Sequence, residues 1–182
     1  MKRVWILVLL IALSSCERRV SDTLDGIEAC MQAHPDSALA LLRSIDTTAL
    51  CTPAIKARYA LLYAMALDKN WIDTTNVGVV MPAVWYYERR KPVINRAKAW
   101  YYLGRIQYNG RDYDEAIISF TRAKEYAKEL HDERFKALIH QAIADTYSNT
   151  YIFEEALKYA REAHNYVLRT HDTILTNASL FS

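Results

Sequence analysis

Residues 97–132 and 137–172 superpose on one another at an offset of 40 residues. The offset pairs Ala97 with Ala137, Asn109 with Asn149, Glu115 with Glu155, Ala116 with Ala156, Ala123 with Ala163 and Tyr126 with Tyr166. It also carries His131-Asp132 onto His171-Asp172. Conservative matches fill the gaps: Leu103 with Ile143, Gly104 with Ala144, Tyr113 with Phe153, Ile117 with Leu157. A repeat of this length marks a stacked array, in which each unit is too small to bury its apolar face alone and neighbours complete the core.

Each unit reads as two helices. Trp100, Leu103, Gly104, Gln107 and Tyr108 fall at helical spacing, Asn109-Gly110-Arg111-Asp112 breaks the pattern, and a second helix from Tyr113 lines up Ala116, Ile117, Phe120, Ala123, Tyr126 and Ala127. Gly104 and Ala116 are expected face to face where the helices approach, with Trp100, Leu103 and Phe120 filling the surrounding space. The second unit places His140, Ile143, Ala144 and Tyr147 against Ala156, Ala160 and Ala163. Upstream, 53–69 is an apolar helix, a loop spans Asp68 to Gly78, and a further helix carries Ala83, Val84 and Tyr87. Before that, 21–33 and 35–45 form a hairpin, with Pro35 suited to a first helical turn. Four helix pairs therefore begin near 20, 53, 94 and 133. Ile174, Leu175, Ala178 and Phe181 share one face of a final stretch that reads as half of a fifth pair, either a cap or the start of something longer. Only four Gly and four Pro occur in 182 residues, a composition suited to helices. The fold class is all-α: an antiparallel helix-hairpin solenoid with a period of about 40 residues.

Trp100-x2-Leu103-Gly104 and Ala116-x3-Phe120 resemble the tetratricopeptide repeat. Gln107 departs from that pattern, where an aromatic residue is usual (Tyr108 is one place late), and no proline ends the second helix. The family period is about 34 residues, so a 40-residue period implies second helices longer by about one and a half turns. Ala38 to Asp46 and Ala66 to Thr75 are also similar to a group of repeat lipoproteins and signalling proteins, a resemblance that implies no activity. The tetratricopeptide resemblance implies that first helices line an inner groove accepting a peptide or a partner's helix. In the best unit the groove positions are Lys98, Tyr101, Arg105, Tyr108 and Asn109. Before it stand Arg58, Leu61, Met65, Asp68 and Lys69, and after it Gln141, Asp145, Ser148 and Asn149. Guanidinium and phenol groups there suit carboxylate and backbone recognition. The full dicarboxylate clamp of chaperone-binding relatives is not reproduced.

At the other end of the chain, Lys2 and Arg3 precede an unbroken apolar run from Val4 to Leu13. Ten residues are too few for a bilayer span, which needs about 20, but they fit a secretory segment. The run ends Leu13-Ser14-Ser15-Cys16, which resembles the bacterial lipobox. The resemblance implies a signal peptide at 1–15, lipidation of Cys16, a short linker to residue 20, and the repeat domain over 21–182. Loss of Lys2 and Arg3 leaves 21 basic against 21 acidic residues. A neutral exported chain has no electrostatic reason to hold a phosphate backbone, so nucleic acid is not an expected partner. Glu17-Arg18-Arg19 lacks the aspartate that resembles an inner-membrane retention signal, which leans towards the outer membrane. Cys30 and Cys51 are either a disulfide of an oxidising compartment or two small buried apolar residues.

Catalytic constellations are missing from the sequence: no phosphate-cradling loop, metal-binding helix, nucleophile elbow or zinc spacing occurs. The His-Asp pairs sit at repeat junctions, where Asp as a helix cap explains them. His34 and His164 have no partner in sequence, and Glu154-Glu155 suits a helix start. The expectation is a non-catalytic protein- or peptide-binding scaffold without metal or cofactor, lipid-anchored in the bacterial cell envelope and facing the periplasm. The other reading is an accessory lipoprotein of outer-membrane protein assembly or glycan uptake.

Overall fold

The computed structural model describes residues 18–170. The secretory segment, Cys16, His171-Asp172 and the terminal apolar stretch lie outside the described residues. Within them all regular structure is helical: α1 (18–30), α2 (Pro35–Ser44), α3 (Pro53–Lys69), α4 (Met81–Tyr87), α5 (Val93–Asn109), α6 (Tyr113–Ala127), α7 (Glu133–Asn149) and α8 (Phe153–Arg169). The described residues form two compact units, 18–72 with 78–86, and 73–77 with 87–170.

The 40-residue period is written into the helix starts. α3, α5 and α7 are each 17 residues long and begin at 53, 93 and 133. It is written again into the turns that end them. Trp71, Arg111 and Tyr151 occupy the left-handed region, with φ of 56°, 61° and 61°. Each amide donates to the carbonyl three residues back, Asp68, Tyr108 or Ser148, at 2.9–3.1 Å. The next amide (Ile72, Asp112, Ile152) donates to Leu67, Gln107 or Tyr147 at 2.9–3.0 Å. This is the Schellman termination, which satisfies the last carbonyls and normally recruits glycine. Its recurrence shows that the upstream pair shares the period, although its sequence has drifted. The drift shows after the turn: residues 73–80 carry the chain to α4, only seven residues long.

In the first unit, Pro35 opens α2 as expected, and Ala38, Leu39 and Leu42 are buried. The Thr52 hydroxyl caps α3 by accepting from the Ile55 amide at 3.4 Å. The Asn70 amide group ties the end of α3 back to the start of α2, donating to the Pro35 carbonyl at 2.8 Å. No disulfide joins Cys30 and Cys51; Cys30 is half-buried and Cys51 exposed, so neither is a fully buried apolar filler.

The second unit stacks α5–α6 and α7–α8, with α7 packed on both α6 and α5. Gly104 and Ala116 are both buried, but what meets Gly104 is the Phe120 ring. A Cβ there would stand 2.6 Å from two ring carbons. Trp100 is half-buried rather than central. Its indole N–H donates to Glu88 at 2.7 Å, and the Arg122 guanidinium lies 4.4 Å from its ring. Forty residues on, His140 takes the same place and Glu162 that of Arg122: Nε2 meets the Glu162 carboxylate at 3.2 Å, and Nδ1 lies 2.8 Å from the Lys136 carbonyl. Asp132 caps α7 by accepting from the Phe135 amide at 2.9 Å, the role expected of the first His-Asp pair. Glu154 and Glu155 lie in the first turn of α8, where negative charge meets the helix dipole.

Three groove assignments are overturned. Leu61 and Met65 are each 4% exposed, and Tyr101 is 7% exposed. The Tyr101 ring packs on Phe120 at 5.8 Å and on Phe135 at 5.6 Å between centroids. An inner first helix is covered on two sides, by its own partner and by the next pair, so the stripe opposite one buried face is itself partly core.

Candidate functional site

A narrower stripe survives on α5 and α7. α5 and α7 touch, and side chains of their last turns meet. Arg105 and Tyr108 come from α5; Gln141, Asp145 and Asn149 come from α7 at helical spacing. The Asn149 side-chain amide joins the two rows, donating to the Tyr108 hydroxyl at 2.8 Å and to the Asp145 backbone carbonyl at 2.9 Å. Gln141 donates to the Asp145 carboxylate at 2.8 Å. The Arg105 guanidinium lies 5.7 Å from the centre of the Tyr108 ring, whose other neighbour is Tyr113 at 5.6 Å, edge to face. Lys98 and Asn109, both half-buried, mark the two ends of the stripe on α5, and exposed Ser148 continues it on α7.

Burial sets the electrostatics. It raises the Asp145 carboxyl above the usual carboxylate range, against the opposing pull of Gln141 and Arg105. The Tyr108 phenol is raised by burial and by the Asp145 charge, while Arg105 and the Asn149 bond pull it down. The cluster is therefore a fixed row of amide, phenol, carboxylate and guanidinium groups, the chemistry that recognises polypeptide backbone and side chains.

Arg58 and Lys69 belong to the first unit. Lys69 sits half-buried in the last turn of α3. Arg58 was expected to present a guanidinium to a ligand, but it bridges Asp25 at 2.6 Å and Glu28 at 2.7 Å on α1. Those two carboxylates already balance its charge.

One feature went unread in the sequence. α7 and α8 enclose an open trough of about 870 Å³, lined by Ala137, Leu138, Ala144, Ala160 and Val167 and bordered by Gln141 and Asp145. Leu138 and Leu157 on its walls are each 53% exposed. The signal lay in Ala144, Ala156 and Ala160, read only as contacts within the pair. Among the described residues no group of three or more His, Cys, Asp or Glu is placed to hold a metal ion. No helix among them is long and apolar enough to cross a membrane.

The tetratricopeptide repeat family model matches residues 97–130. That segment begins four residues after the α5 start at Val93 and runs past the end of α6 at Ala127. The surplus over the family period thus includes the opening turn of the first helices, and the two second helices differ in length, α6 having 15 residues and α8 17. A solved structure titled "MamA MSR-1 C2" aligns with 84% of this chain and 98% of its own, at 21% identity and a TM-score of 0.37. The sequence has no match among curated proteins.

Proposed function

We propose that this chain is a non-catalytic scaffold that binds a protein or peptide partner along the α5–α7 stripe, while a lipid on Cys16 holds it in the bacterial cell envelope. The observation that carries the binding reading is the Asn149–Tyr108 bond, which fuses two repeats into one polar and aromatic surface. A tetratricopeptide repeat at 97–130 supports it, since helical repeat arrays present extended binding surfaces. Tyr and Arg on such a surface are the residue types that carry binding energy at interfaces.

The anchoring rests on the sequence: the basic start, the apolar run and Cys16 in register. Two or three acyl chains hold far better than one, because each buried methylene contributes about 0.8 kcal/mol. The export-type leading segment supports the periplasmic side, and Glu17-Arg18-Arg19, without an aspartate, leans towards the outer membrane.

The test is a full-length chain carrying Arg105→Ala, Tyr108→Ala and Asn149→Ala, crosslinked in intact cells and recovered from membranes. The expected result is an unchanged melting temperature with partner recovery reduced at least tenfold. Full recovery by a folded variant refutes the stripe. Separately, Cys16→Ala should abolish palmitate labelling; equal labelling refutes the anchor.

A further inference from the structure

The turn that joins α7 to α8 carries three consecutive large apolar residues, all exposed: Tyr151 at 80%, Ile152 at 48% and Phe153 at 62%. The Tyr151 and Phe153 rings meet edge to face at 6.1 Å, so the three side chains make one apolar knob at the tip of the repeat. Nothing in the backbone calls for them. One repeat earlier the same left-handed turn is built from Arg111 and Asp112, both exposed, and the aromatic residue that follows, Tyr113, is half-buried against Tyr108.

Local preference runs against the knob. Tyr151 holds φ at 61°, a conformation that suits glycine and strains a residue with a large side chain. Ile152 stands at the cap of α8 with no acceptor to offer, where Thr52 and Asp132 supply one to α3 and α7. Phe153 shows its ring to water from the first helical position. Three successive departures from local rules mark a place kept for contact rather than for stability. In the first unit the equivalent turn exposes Trp71 and Ile72.

The kind of surface follows from shape and charge. A turn tip this exposed projects into its surroundings, and a tyrosine beside apolar residues suits the level of lipid headgroups, with its ring in the apolar layer and its hydroxyl in the wet one. The neighbouring charges in the first turn of α8, Glu154 and Glu155, are acidic and disfavour an anionic surface. An anchor at Cys16 keeps the chain beside a bilayer, so the knob meets lipid at high effective concentration and needs little affinity of its own.

We propose that Tyr151, Ile152 and Phe153 seat in the headgroup region of a zwitterionic bilayer and hold the second unit against the membrane, a second contact that rests on the reading of Cys16 as the anchor.

The test uses the acylated full chain with Cys30→Ser and Cys51→Ser. One fluorophore is placed on Glu154→Cys at the tip, or on Arg169→Cys about 25 Å away at the far end of α8. The vesicles are phosphatidylcholine bearing a nitroxide high on the acyl chain. Quenching should be stronger at Glu154 than at Arg169 by about threefold or more, and no stronger when phosphatidylglycerol is added. Tyr151→Gly, Ile152→Ser and Phe153→Ser together put glycine at the left-handed position and serine at the cap, so the variant should keep the parent's circular dichroism and melt. Its Glu154 signal should fall to the Arg169 level. Equal quenching at the two sites of the parent, or quenching that survives in the folded triple variant, overturns the proposal and leaves the tip to a protein partner. A chain that does not float with the vesicles refutes the Cys16 anchor and the proposal with it, whereas one that floats with its tip unquenched refutes the knob alone.

Discussion

Gly104→Ala offers a sharp measure of the packing between α5 and α6. In the interior of a helix this change is ordinarily favourable, by about 0.5–1 kcal/mol, because alanine loses less backbone freedom on folding. Here the added methyl would stand 2.6 Å from Cδ1 and Cε1 of Phe120 and 3.0 Å from Cγ. Ordinary carbon contacts are about 3.5–4.0 Å, so the ring must retreat by about 1 Å. Phe120 has no room to do so: it is 0% exposed and wedged against Tyr101. Overpacking of a filled core costs about 1–3 kcal/mol, and the size of this overlap points to the upper half of that range. Set against the backbone gain, the net loss is about 1–2 kcal/mol, or about 3–6 °C in Tm for a domain of this size. Gly26→Ala is the control, since nothing lies within 4 Å of a Cβ built there. It should raise stability by about 0.5–1 kcal/mol. Thermal and urea unfolding followed by circular dichroism would read both. A stabilised Gly104→Ala chain would refute the close approach of α5 and α6. Phe120→Leu combined with Gly104→Ala should recover part of the loss, a positive coupling that a pure backbone effect would not produce.

Tyr151→Gly should stabilise the chain by about 0.5–1 kcal/mol, because a left-handed residue costs about 1–2 kcal/mol and the lost edge contact with Phe153 returns part of the gain; a lower Tm would show that the exposed ring contributes more than the strain. Glu88→Ala should cost about 1–2 kcal/mol in chemical denaturation, since the carboxylate accepts from both Trp100 and Tyr126; an unchanged midpoint refutes that cluster as a structural tie. Burial raises the folded-state Asp145 carboxyl, so the stability associated with its neutral form is lost as pH rises through the folded value. Asp145→Asn should accordingly be at least as stable as the parent at neutral pH, the difference closing in acid; a difference that widens in acid refutes this. Burial lowers His140, so its contribution is present above the ordinary histidine value and is lost as pH falls through the depressed one. His140→Gln should flatten that acid limb, measured as urea midpoints against pH.

The fold was legible because repetition constrains more than composition does. Residues 53–69 were read as one helix from apolar spacing alone, and α3 has those bounds. The starts near 94 and 133 fall within a residue of α5 and α7. What could not be read was the turn. Trp71, Arg111 and Tyr151 share no side-chain chemistry, and none is glycine, so the conserved feature is a backbone angle with no residue signature. That angle extends the period to the upstream pair more firmly than any side-chain match. It also sets bulky residues outward, Trp71 at 89% and Tyr151 at 80% exposure, at positions where glycine would be easier to fold.

The site was legible only in part, for a reason that lies in how neighbouring pairs share a helix. A helix packed against one partner has a single buried stripe, and the opposite side is free. α5 touches both α6 and α7, so its buried set runs nearly around the first four turns: Ala97, Ala99, Tyr101, Tyr102, Leu103, Gly104 and Ile106. Tyr101 lies one turn before Gly104 on the side of α5 that meets Phe120, and its ring also reaches Phe135 of α7. Tyr108 lies two turns further on, where α7 offers Asn149 instead of Phe135, so its ring is only half-buried and its hydroxyl is bonded rather than packed. The distinction between these tyrosines depends on what lies 34 and 41 residues downstream, information that a single helix does not contain. The 40-residue offset does contain it: any first-helix position can be tested against the residues of the next repeat that reach it.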